Sequence, residues 1–118
     1  MLQSYMSRRS QISNSPPAAV REALERLGRD LRTARLRRQL RQEELARRIG
    51  VSRFVVADIE RGKPTTAIVA YVGALWALGL LDHMRAVADP DRDEEGKVLE
   101  RARGPKTARG RGALSDDF

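Results

Sequence analysis

His83 is the only histidine of this 118-residue chain and stands beside Asp82; there is no cysteine. Without a second histidine, a thiol or a phosphate-cradling glycine loop, hydrolytic and phosphoryl-transfer mechanisms lack their parts. His83 then reads as a surface residue. The acidic cluster of Asp89, Asp91, Asp93, Glu94 and Glu95 lacks the glycine of a calcium loop at the required spacing, Glu94 standing in its place, and favourable charges at a helix start account for it better. Gly110-Arg111-Gly112 is a basic tail and not a nucleotide loop. The expectation is no enzyme, no metal and no cofactor. What the chain does hold in quantity is arginine. Its 23 basic residues outnumber 16 acidic ones, for a net charge of +7, and Lys63, Lys97 and Lys106 are the only lysines. Arginine suits bidentate contacts to phosphate and guanine, although genomic base composition also enriches it. The surplus is local: residues 1–50 carry 12 Arg against five Asp/Glu, whereas residues 81–118 are close to neutral. A polyanionic partner at the N-terminal half follows.

The elements that must position these charges are all helical. Residues 1–16 are polar, without a hydrophobic period, and read as a mobile arm in which Arg8 and Arg9 either reach a DNA groove or stay solvated. Pro16-Pro17 suits a helix start. Val20, Leu24, Leu27, Leu31 and Ala34 then form one apolar stripe on a helix running to about Arg38. A helix over 42–49 directs Leu45, Ala46 and Ile49 inward and ends at Gly50. Ser52 caps a third over 53–61, with Val56 and Ile59 inward and Gly62 as its stop. A fourth opens near Pro64 and buries Ile68, Val72, Leu75 and Leu78 before Gly79. A short fifth ends near Ala88. Asp89-Pro90 starts a polar helix to about Arg103, and the rest reads as a disordered tail. The fold class is all-α, with an arm (1–16), a helical domain (17–88) and a polar helix and tail (89–118).

The informative stretch is Gln42-Glu43-Glu44-Leu45-Ala46-Arg47-Arg48-Ile49-Gly50-Val51-Ser52, continued by Arg53-Phe54-Val55-Val56-Ala57-Asp58-Ile59-Glu60-Arg61-Gly62-Lys63. Two short helices on a tight glycine turn cross steeply, and Ala46 lets them approach. The outer face of the second, with Arg53, Phe54 and Ala57, is left without a packing partner. Residues 27–81 resemble the five-helix helix-turn-helix domain of the phage-repressor (Cro/C1, or Xre) family. In that family the third helix enters the major groove. The resemblance implies that Arg53, Phe54 and Ala57 face bases. It implies that Gln42 and Ser52 hold phosphates at helix N-termini, with Arg61 and Lys63 passing the backbone. Arg35 and Glu60 match a bracing ion pair.

Two residues depart from the family pattern. Arg41 stands where the family usually has Ser or Thr. The lost cap costs on the order of 1 kcal/mol, partly offset by Glu43 and Glu44, unless Arg41 itself touches phosphate. Phe54 is an unusual base reader, which either packs on a thymine methyl or folds back into the core.

Downstream, Leu75-Trp76-Ala77-Leu78-Gly79-Leu80-Leu81-Asp82 and Ala88-Asp89-Pro90-Asp91-Arg92-Asp93-Glu94-Glu95-Gly96-Lys97 are similar to HipB-like regulators encoded beside HipA-type kinase toxins. This implies an antitoxin that represses its own operon; a plain local repressor is the other reading. Trp76, with Leu80, Leu81 and Met84, either anchors a dimer interface or fills the core. A homodimer on a palindromic operator, with half-sites about 34 Å apart, supplies the contacts that one recognition helix lacks. The rival from another class is a protein-interaction module that holds a kinase toxin with little DNA binding. Arg53 and the absence of acids at 54, 55 and 57 favour DNA; Asp58 weighs the other way. Stacking platforms for RNA are absent at 4% aromatics. Met1 to Ser15 has no signal-peptide run and no segment is long enough to span a bilayer, so a cytoplasmic protein without membrane contact is expected.

Overall fold

The computed structural model describes residues 10–104. Arg8, Arg9, Gly110-Arg111-Gly112 and the tail from Lys106 lie outside the described residues. Those that are described form helices and no strand: α1 (Gln11–Asn14), α2 (Ala18–Arg37), α3 (Gln42–Ile49), α4 (Arg53–Arg61), α5 (Ile68–Ala77), 3-10 turns at Leu81–Ala86 and Pro90–Arg92, and α6 (Glu94–Arg103). The all-α expectation holds. Internal contacts divide the chain after Leu81.

In the first unit, α2 packs on α4, α3 packs on α4 and α5, and α4 also touches α5. Leu31, Leu45, Val56 and Ile59 are the largest fully buried side chains, and each lies on the inward stripe that its helix period marks. α3 hands over to α4 through Gly50, whose φ of +76° lies in the left-handed region. There the Val51 N–H donates to the Ala46 carbonyl at 3.0 Å and the chain turns without a Cβ penalty.

Three details differ from the expectations. The arm contains the one-turn helix α1, which buries nothing. Val20 is exposed and Leu24 and Leu27 are only half-buried, because α2 begins a turn before its packing partners do. Ile68 is 73% exposed; the buried residues of α5 are Tyr71, Ala74 and Leu75, with Leu78 just after it. The Tyr71 hydroxyl donates to the Lys63 carbonyl at 2.9 Å, which fixes the rotation of α5 and ties it to the loop behind α4. Burial and, less, the charge of Asp58 push the Tyr71 pKa above its ordinary value.

In the second unit the polar stretch is two elements. Asp89 caps Pro90–Arg92, and Asp93, through its bond to the Gly96 N–H, caps α6. Val98 and Leu99 on α6 are exposed.

Candidate nucleic-acid interface

The site is built on the starts of α3 and α4. At the first of these, Arg41 offers no acceptor to the helix, so the usual cap is lost as expected. The reciprocal half survives: the Glu44 carboxylate accepts the Arg41 backbone N–H at 2.8 Å, the geometry of half a capping box. That bond, and the Arg41 charge, hold the Glu44 pKa below the ordinary carboxylate value. The Arg41 guanidinium stays exposed, 3.6 Å from Glu44 and 4.0 Å from Glu43. At the second start, the Ser52 hydroxyl accepts the Val55 N–H at 3.4 Å and serves as the N-cap.

Beneath these starts lies a buried ionic network. Glu60 takes Arg35 in a fork, Nε at 2.6 Å and a second nitrogen at 3.0 Å. Arg35 also donates to the Leu40 carbonyl at 2.8 Å, which pins the turn between α2 and α3. The Gln42 amide donates to Glu60 at 3.0 Å. One donor of the half-buried Gln42 amide, a side chain expected at a phosphate, is thereby engaged by Glu60. What α3 still turns outward at that point is its first-turn backbone N–H groups. Every buried side-chain polar atom among the described residues has a partner.

Above the network, a hollow of about 250 Å³ is lined by Arg35, Arg41, Gln42, Glu43 and Arg53. Of the arginines lining it, Arg35 is already neutralised by Glu60 and Arg41 stands near Glu43 and Glu44, so Arg53 and the positive ends of two helices are what it offers an anionic oxygen. Beside it the outer face of α4 carries Arg53 and Phe54, both exposed, and Ala57, half-buried. Phe54 is 69% exposed, so its ring is not core. Arg61 and Lys63 lie at the other end of α4, and both pair with Asp58; Lys63 does so at 3.6 Å. Sequence reasoning missed that neutralisation, although the three-residue spacing of Asp58 and Arg61 signals it.

The residues expected at a dimer interface are not all alike. Trp76 is 60% exposed and Leu81 is exposed, while Leu80 and Met84 are half-buried. Trp76 is thus not a core tryptophan of the single chain. Ile68 and Val69 are exposed on the same helix, α5. Among the described residues, no cluster of His, Asp or Glu could hold a metal ion, and no helix is long and apolar enough to cross a membrane.

A helix-turn-helix domain family matches residues 26–88. No curated protein and no solved structure matches the chain.

Proposed function

The chain belongs to the helix-turn-helix domain family, and on that premise we propose that it is a sequence-specific regulator that binds double-stranded DNA as a homodimer. The observation that carries this reading is the exposed face of Arg53, Phe54 and Ala57 beside the arginine-lined hollow. Groups suited to reading bases and to holding phosphates thus stand side by side. Arg41 and the outward N–H groups of α3 and α4 would take phosphates, while α4 lies in the major groove.

Fluorescence anisotropy of the full chain against duplex DNA from directly upstream of its reading frame, with a scrambled duplex and two salt concentrations, tests it. Tight, salt-weakened binding to the native duplex alone is expected. Arg53→Ala should cost about 1–3 kcal/mol per half-site, the worth of one bidentate base contact. Equal and weak binding to both duplexes would sink the proposal and move the rival, a protein-interaction module, to first place. Repression of its own operon with a HipA-type kinase toxin as partner is the extension that the 75–97 resemblance supports. Copurification of such a kinase, encoded next to this chain, is its test; failure to copurify removes it.

Asp58 sets a second expectation. Its carboxylate holds Arg61 and Lys63, the cations proposed to pass the DNA backbone. Asp58→Asn should free both, tighten binding and steepen the salt slope by about 0.9 for each phosphate gained. An unchanged slope with an unchanged melting temperature would remove Arg61 and Lys63 from the interface.

The dimer rests on α5. No charged residue occurs from Pro64 to Leu81, and a helix apolar all round is ordinarily covered on all sides, yet Ile68, Val69 and Trp76 face solvent in the single chain. A second copy would cover them. Trp76→Glu should then sediment as a monomer and bind DNA more weakly than a dimeric wild type; a variant that sediments like wild type would exclude this face.

A further inference from the structure

The Arg53 guanidinium carbon lies over the Phe54 ring, 5.1 Å from its centre. Neighbouring residues of a helix point about 100° apart and do not face one another, so Arg53 has folded across the ring. The contact is of cation–π type, worth about 0.5–1 kcal/mol at an exposed site, and biases a long side chain toward this position before any ligand arrives. Among the described residues no carboxylate lies within ion-pair distance of Arg53, which leaves its donors free. Phe54 is equally open, 69% exposed on the first turn of α4.

We propose that Arg53 and Phe54 act as one reader of a two-base-pair step: a guanine next to a base with a methyl group at C5. The inference rests on the DNA-binding reading above. A guanidinium bonded to the O6 and N7 of guanine lies in the plane of that base. The Phe54 ring, on the face of that guanidinium, then stands out of the guanine plane and toward the adjacent pair, about 3.4 Å along the duplex. Phenylalanine neither donates nor accepts, so it is blind to the amino and carbonyl groups there. The one apolar group that a base pair shows in the major groove is the C5-methyl of thymine; 5-methylcytosine presents the same group.

The test starts by selecting duplexes from a randomised pool with the full chain. The selected duplex is then remade with uracil in place of each thymine, and with 5-methylcytosine in place of that thymine or unmethylated cytosine there. The proposal expects selected sites to contain a guanine beside a thymine and affinity to fall about fourfold per half-site when that one thymine loses its methyl, the worth of one buried carbon. Cytosine there should bind more weakly than 5-methylcytosine. Phe54→Ala, with its melting temperature kept because the ring is exposed, should bind the thymine and uracil duplexes equally. Arg53→Ala should lose the preference for guanine but still enrich the rest of the site. Selected sites at which every thymine-to-uracil change is silent would overturn the pair as a methyl reader while leaving DNA binding intact. A pool from which nothing is enriched would overturn the DNA-binding reading and this inference with it.

Discussion

Glu60→Ala is expected to cost the helix-turn-helix unit about 3–5 kcal/mol, a large share of its stability. Arg35 and Glu60 are 6% and 8% exposed, and the carboxylate accepts two bonds from Arg35 and one from Gln42. Removing it leaves a guanidinium in the interior with only the Leu40 carbonyl as partner. Breaking a buried pair from one side costs about 3–5 kcal/mol. A folded domain holds only about 0.05–0.15 kcal/mol per residue in total, so the loss is a large share of the stability of a unit this small. The pair itself is not expected to be a large net gain, because both charges left water to form it. The double variant Arg35→Met, Glu60→Leu should therefore recover most of the loss, as apolar replacements of buried ion pairs commonly do. Urea unfolding followed by circular dichroism measures both. A Glu60→Ala loss below about 1 kcal/mol would show that water reaches the network and that it does not brace the fold.

The second large effect concerns Gly28, in the middle of α2. Alanine is the better helix former by about 1 kcal/mol, and on an open helix face Gly28→Ala would stabilise. Here a Cβ would stand 2.6 Å from the carbonyl oxygens of Ile59 and Glu60, and 2.8 Å from the Glu60 carbonyl carbon. These are backbone atoms of α4, which cannot swing aside as a side-chain end would. Overpacking of this kind costs about 1–3 kcal/mol, or more when backbone must move, and the movement pushes Glu60 off Arg35. Gly62 comes as close at the other end of the contact, where its Cβ would meet the Leu24 carbonyl at 2.5 Å. α4 is seated on α2 through two glycines. Gly28→Ala should lower the melting temperature, and should weaken DNA binding even where the variant remains folded, because α4 is displaced from its seat. A melting temperature equal to or above that of wild type would refute the close contact.

The candidate site residues are legible in the sequence in unequal measure. Phe54 follows from the phase of α4: once Val56 and Ile59 face inward, it must point away from them, whereas Arg53 and Ala57 fall on the flank between. The Arg35–Glu60 pair was reached through the family pattern, since 25 residues separate the partners and neither helix alone marks them. Gln42 as the third member, and Asp58 as the acceptor for Arg61 and Lys63, are matters of side-chain direction. Helix periodicity fixes where a Cβ sits but not where a long polar side chain ends.

The sequence by itself determined the helices from α2 to α4, their stops at Gly50 and Gly62, the inward residues of α3 and α4, and the concentration of charge near them. Each of these is local: periodicity, capping and the left-handed turn act within a few residues. The tertiary structure decided the rest. It set the rotation of α5, where an apolar residue at nearly every position gives no phase to read and the Tyr71 hydroxyl bond to Lys63 selects one. It decided that Gly28 is a contact and not merely a weak helix residue. It also decided that Phe54 lies outside the core, against the Arg53 guanidinium. Those outcomes depend on what stands opposite in space, and a one-dimensional pattern holds no record of that.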